Sequence, residues 1–166
     1  MPVRYIIFMS LFCLSFIGYL FARYIIAYPA GQSECLHARV FLVDTWDTQI
    51  REGELAYFVM DVENPFFPTG LRWVKKVAAL PGSQVSVTPG QVAVNTTTRY
   101  AIDMRPMLNA LAGTDQDMGT ESAYTRDFVL QEDEVFMLGE TINSYDSRFW
   151  GPLKVQQIKG KAYAIF

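Results

Sequence analysis

Apolar positions follow two different rules along this chain. Across residues 5–22 only Ser10, Ser15 and Gly18 interrupt an apolar run, and Arg4 and Arg23 bracket it. If Tyr24-Ile25-Ile26-Ala27 continues the same helix, the run is long enough for the roughly 20 residues of a bilayer span. A cleavable signal peptide has a shorter apolar core, about 7–15 residues, followed by a small-x-small cleavage site. Here Ala27-Tyr28-Pro29-Ala30 makes a poor site because of its proline. The pattern therefore predicts an uncleaved anchor over residues 1–28 and one domain over residues 29–166.

Beyond the anchor the pattern shortens and alternates. Runs at 39–43, 54–62 and 71–80 are rich in β-branched and aromatic residues, and Gly53, Pro81 and Gly82 punctuate them. Such runs between turn residues predict strands. Runs at 84–87 and 91–94 flank Pro89-Gly90 and predict a hairpin. The segment 127–130 and the runs 134–138 and 158–166 supply the last strands. Residues 95–125 lose clear periodicity and predict an insertion with one short helix near 107–111. Phe66 and Phe67 lie between Pro65 and Pro68, where they form either a core plug, which is favoured, or an exposed apolar tip. Many short strands with frequent turns predict an antiparallel barrel or sandwich.

Composition narrows the partners. A formal charge of -3 and a pI near 5.1 give no basic face for nucleic acid. Cys13 falls within the predicted span and Cys35 beyond it, so the two are not expected to pair. No Cys/His cluster has zinc spacing, and the single histidine, His37, can only be an accessory group. No metal or organic cofactor is implied. Arg4 and Arg23 nearly balance under the positive-inside rule. The short tail and its amine favour an inside N-terminus, with the large domain outside.

Two segments carry candidate chemistry. In Trp73-Val74-Lys75-Lys76-Val77-Ala78-Ala79-Leu80-Pro81-Gly82, strand alternation puts Trp73, Lys75, Val77 and Ala79 on one face. Both faces are mainly apolar, so at least one lysine points into a dry environment; two solvated lysines on an edge strand are the alternative. Desolvation disfavours an ammonium, which is how a lysine becomes a usable base near neutral pH. The other segment is Gly139-Glu140-Thr141-Ile142-Asn143-Ser144-Tyr145-Asp146-Ser147-Arg148-Phe149-Trp150-Gly151. Its Asp146 and Arg148 can form a rigid, bidentate, charge-assisted corner. Alone, that spacing also fits a loop salt bridge.

Taken together, these segments resemble two signature boxes of type I signal peptidases, membrane-anchored serine proteases that use a lysine base to remove leader peptides. The kernel Ser-x-Asp-Ser-Arg with two aromatics and a glycine resembles the last box. The lysine pair before small or aliphatic residues and Leu-Pro-Gly resembles an earlier one. The resemblance implies a mainly β, signal-peptidase-like catalytic domain with Lys75 as general base and Lys76 as its basic neighbour. It implies Ser144 as the hydroxyl that orients the lysine, with Asp146 and Arg148 bracing that loop. In size the chain is similar to the short conjugative-transfer peptidases of the TraF type, which implies pilin-like precursors as substrates. Leader peptide and membrane lipid are the implied partners, and the cytoplasmic membrane, with the domain on its outer side, the implied location.

The resemblance also implies a nucleophilic serine just past the anchor. Ser33 is the only hydroxyl in residues 29–41. No proline follows it, and an ungapped match puts Glu34 at the serine position and His37 at the proline. Cys35 is a second candidate nucleophile, or a small thiol packed under the first strand. Glu34 can pair with Lys75 and hold it protonated. A catalytically degenerate, membrane-tethered β module binding a secretion or pilus component is the alternative function.

Overall fold

The computed structural model describes residues 3–28, 35–61, 67–112, 121–141 and 144–166. The N-terminal helix α1 spans Val3–Arg23 and has no buried residue. Its 21 residues reach about 31 Å at 1.5 Å per residue, the thickness of a bilayer's hydrocarbon core. Its best window has a mean hydropathy of 2.1. An apolar helix of this length with no buried residue is suited to lipid.

The helix ends at Arg23, four residues before its apolar sequence through Ala27 runs out. Tyr24–Ala27 does not continue α1 but forms strand β1, antiparallel to β2, Phe41–Asp44. Aromatic and β-branched residues favour a strand once an edge is available, and β2 supplies that edge. The freed carbonyl of Arg23 accepts from both the backbone N–H and the hydroxyl of Thr45. The Arg23 guanidinium also grips Asp44, with Nε 3.0 Å from each carboxylate oxygen. The span is thereby clamped directly to the domain's first hairpin.

Strands β3 (Leu55–Met60), β4 (Leu71–Ala79), β5 (Gln84–Thr88), β6 (Gln91–Val94), β7 (Thr98–Ala101), β8 (Arg126–Val129), β9 (Glu134–Leu138), β10 (Leu153–Lys154) and β11 (Ile158–Ala164) complete two sheets. The larger has the order β1-β2-β11-β3-β4-β9-β10 and the smaller β7-β6-β5-β8. Every described pairing is antiparallel. The mainly β, antiparallel class expected from the alternation is what forms.

The described residues within 95–125 form more regular structure than their weak periodicity predicts. Asn95, at φ 52°, turns the chain so that β7 pairs with β6. Asparagine tolerates that left-handed backbone. Helix α2 then covers Arg105–Leu111, with a proline in its first turn. β7 escaped notice because Thr98-Arg99-Tyr100-Ala101 is a short edge strand whose residues are half-buried or exposed.

Among the described residues, three apolar clusters hold the domain. One joins the smaller sheet and α2 to Ala78, Ala79, Phe136, Tyr145 and Phe149. A second lies among β3, β4, β9 and β10, and a third among β1, β2, β3, β11 and Leu36. Trp73 and Trp150 pack against both of the first two. Phe67 meets Trp73 edge-on at 5.0 Å, the plug arrangement rather than an exposed tip; Phe66 lies outside the described residues. β4 therefore runs through the middle of the domain, flanked by β3 and β9, and carries the lysine pair.

Candidate active site

Lys75 sits opposite Ala56 of β3, whose small side chain leaves room beside it. Its side chain reaches inward, leaving the residue 1% exposed. Nζ donates to Ser144 Oγ at 2.8 Å and lies 5.1 Å from the Trp73 ring centroid. Lys76 points to the other face, is half-buried, and stands 3.7 Å from Glu140 Oε1. Strand alternation thus separates adjacent lysines into a dry one and a wet one.

The loop bearing Ser144 is fixed by the acid–guanidinium corner. Arg148 Nε and Nη2 donate to the two oxygens of Asp146 at 2.7 and 2.8 Å. Asp146 is fully buried and Arg148 nearly so. A buried pair is tolerable only when its remaining hydrogen-bonding capacity is filled, and here it is well supplied. Asp146 also accepts from the backbone N–H groups of Gly139 and Arg148, capping the one-turn helix α3, Ser147–Trp150. Arg148 Nη2 donates onward to the Ser144 carbonyl at 2.8 Å. Ser147 Oγ accepts from Met137 N–H in β9. From the other side, Arg126 of β8 donates to the carbonyls of Ser147 and Arg148 at 2.8 and 3.1 Å. Burial lowers the proton affinity of Arg126.

The third component is the segment after the anchor. Glu140 N–H donates to Cys35 O at 2.8 Å, and His37 N–H donates to Glu140 Oε2 at 3.2 Å. At Gly139 any Cβ would stand 2.7 Å from Cys35 O and collide with Ser144 Cβ and Oγ. Cys35 is half-buried and forms no disulfide. His37 is exposed and contributes a backbone group. Ser33 and Glu34 lie outside the described residues, two and one positions before Cys35.

Four of the five residues singled out from sequence therefore converge: Lys75, Ser144, Asp146 and Arg148 form one continuous hydrogen-bonded chain. Sequence reasoning assigned nothing to Gly139, Glu140 or Arg126. Gly139 and Glu140 open the same quoted box, so their position was a usable signal. Arg126 carried none, because its partners are backbone carbonyls contributed by a distant turn.

Among solved structures, a signal peptidase I from Enterococcus faecalis V583 is similar at 21% identity and a TM-score of 0.41, over 68% of this chain and 96% of that one. That likeness is too distant to transfer any residue's role. No curated protein matches this chain. The family model described as signal peptidase, peptidase S26, matches residues 2–166. That match takes in the helix, the lysine strand and the Asp146–Arg148 corner, and the chain belongs to the signal peptidase family.

Proposed function

We propose that this family member is a membrane-anchored serine endopeptidase that removes leader peptides, with Ser33 as nucleophile and Lys75 as its base. The observation that carries the proposal is the buried Lys75 amine, 1% exposed and 2.8 Å from Ser144 Oγ. A serine hydroxyl is a weak nucleophile until an adjacent base takes its proton. A lysine serves as that base in its neutral form.

In this scheme Ser33 Oγ attacks the scissile carbonyl while Lys75 Nζ accepts the hydroxyl proton. Backbone N–H groups near Ser33 stabilise the oxyanion. Lys75 returns the proton to the leaving amine, then activates a water that hydrolyses the acyl-enzyme. Ser144 holds one Lys75 N–H, which restricts rotation of the amine and aims it. Asp146 and Arg148 hold Ser144 and touch no reacting atom. Substrate binds as an added strand, with small side chains before the scissile bond.

The finer proposals concern place and substrate. The domain lies on the outer side of the cytoplasmic membrane, held there by a single α1 span. Leaders emerge at that surface, so anchoring raises their effective concentration. Pilin-like or other conjugative-transfer precursors are the proposed substrates, on the strength of the chain's small size and box pattern.

Substitution tests the assignment. Ser33→Ala and Lys75→Ala should each abolish cleavage of a pilin-like precursor, with expression and membrane insertion intact, whereas Cys35→Ala should not. Normal processing by both of the first two variants would show the enzymatic reading to be wrong. Loss in Cys35→Ala alone would move the nucleophile to the thiol.

A further inference from the structure

Glu140 is bound to both segments that approach the buried lysine from outside β9. Its backbone N–H donates to Cys35 O at 2.8 Å, and its Oε2 accepts from His37 N–H at 3.2 Å across 103 residues of sequence. Its other oxygen faces Lys76 at 3.7 Å, on the strand that carries Lys75. One residue before it, Gly139 N–H is held by Asp146, and the Gly139 backbone lies against Ser144 and Cys35. The described residues between Cys35 and β2 form no strand. Phe166 O accepts from Arg39 and Val40 at the far end of this stretch, at 2.6 and 2.9 Å. Glu140 supplies two bonds at the near end, to Cys35 and His37.

We propose that Glu140 is a positioning residue that clasps the Cys35–His37 segment, and with it the adjoining Ser33, against the loop carrying Ser144. This inference rests on the Ser33–Lys75 assignment. A nucleophile must sit within hydrogen-bond reach of its base, and a misplacement of about 1 Å can cost on the order of a hundredfold in rate. Lys75 and Ser144 are locked by β4 and the buried corner. A clasp at Cys35 and His37 ties the chain two positions after Ser33 to that frame. The side chains of Lys76 and Glu140 are 35% and 29% exposed, so water screens their attraction. The Lys76 pair therefore serves mainly to aim the carboxylate, and the bond from His37 N–H does the holding. A neutral amide oxygen at the same place can accept that bond.

The test uses the full-length protein in detergent micelles, with Cys13→Ala so that Cys35 is the one remaining thiol. Glu140→Ala, Glu140→Gln and Lys75→Ala are compared with the parent in three measurements. These are kcat and KM on a fluorogenic leader peptide with alanine before the scissile bond, the rate of Cys35 alkylation by N-ethylmaleimide, and Tm. Loss of one hydrogen bond predicts that Glu140→Ala lowers kcat about tenfold, with KM within about twofold. Cys35 alkylation should become severalfold faster, and Glu140→Gln should recover most of both losses. A parent-like kcat and alkylation rate in Glu140→Ala overturns the clasp. Equal impairment in Glu140→Gln also overturns it, because charge rather than the accepted bond would then matter. Lys75→Ala separates the two levels: normal cleavage by that variant sinks the Ser33–Lys75 assignment, while the alkylation rates still report whether Glu140 holds the segment.

Discussion

Replacing Gly139 with alanine should disable the site with a single methyl group. The methyl would stand 2.7 Å from Cys35 O, against an ordinary contact of at least 3.4 Å, and closer still to Ser144 Cβ and Oγ. Relieving the contact with Ser144 alone requires a shift of more than about 1 Å, since well-packed carbon atoms rest 3.5–4.0 Å apart. Backbone on one side and a fully buried serine on the other leave no flexible group to absorb it. The serine is also tied through its carbonyl to Arg148 and through its hydroxyl to Lys75. Its displacement therefore moves or frees the amine. Overpacking of this kind costs about 1–3 kcal/mol of stability. An error of about 1 Å in a catalytic group costs on the order of a hundredfold in kcat. The assay is leader-peptide cleavage at saturating substrate, with Tm as the check on folding. Gly90→Ala is the control, because a Cβ there meets nothing within 4 Å. Wild-type kcat and Tm in Gly139→Ala would refute the claim that close approach at this glycine sets the lysine's position.

Two further outcomes follow from the same geometry. Arg148→Lys keeps the charge but loses the two-pronged grip on Asp146 and the bond to the Ser144 carbonyl. Leaving buried acceptors without their bonds costs about 1–3 kcal/mol, so thermal unfolding should show a clear drop in Tm; a shift of a degree or less would contradict it. Asp44 titrates below the ordinary carboxylate range, chiefly because Arg23 hydrogen-bonds its charged form. A depressed acid stabilises the fold above its unfolded pKa, about 3.9. That contribution is lost as pH falls from there through the lower folded value. Tm followed from pH 7 to pH 2 should therefore fall less steeply in acid for Asp44→Asn than for the parent, and parallel curves would refute the linkage.

Several elements were legible because their signals are local. The two-residue strand period, the Pro81-Gly82 stop and the Pro89-Gly90 hairpin place β4, β5 and β6 nearly where they occur. The Asp146–Arg148 pairing could be anticipated because two residues of spacing let one turn bring both groups together. By contrast, β1 and β7 each depend on an edge supplied from elsewhere in the chain, β2 for one and β6 for the other. Apolar Tyr24–Ala27 fits a membrane helix and a strand equally well until that edge exists.

By itself the sequence determined the chemistry on offer: one apolar span, a lysine pair on an alternating strand, and a serine–acid–guanidinium turn. Only the tertiary structure decided which lysine is dry, because burial depends on what packs over each face of β4. It also decided that Gly139 has no room for a side chain and that Glu140 reaches Cys35 and His37. These are contacts between segments about a hundred residues apart in sequence. No local pattern encodes such contacts, since they arise from how the sheets close upon one another.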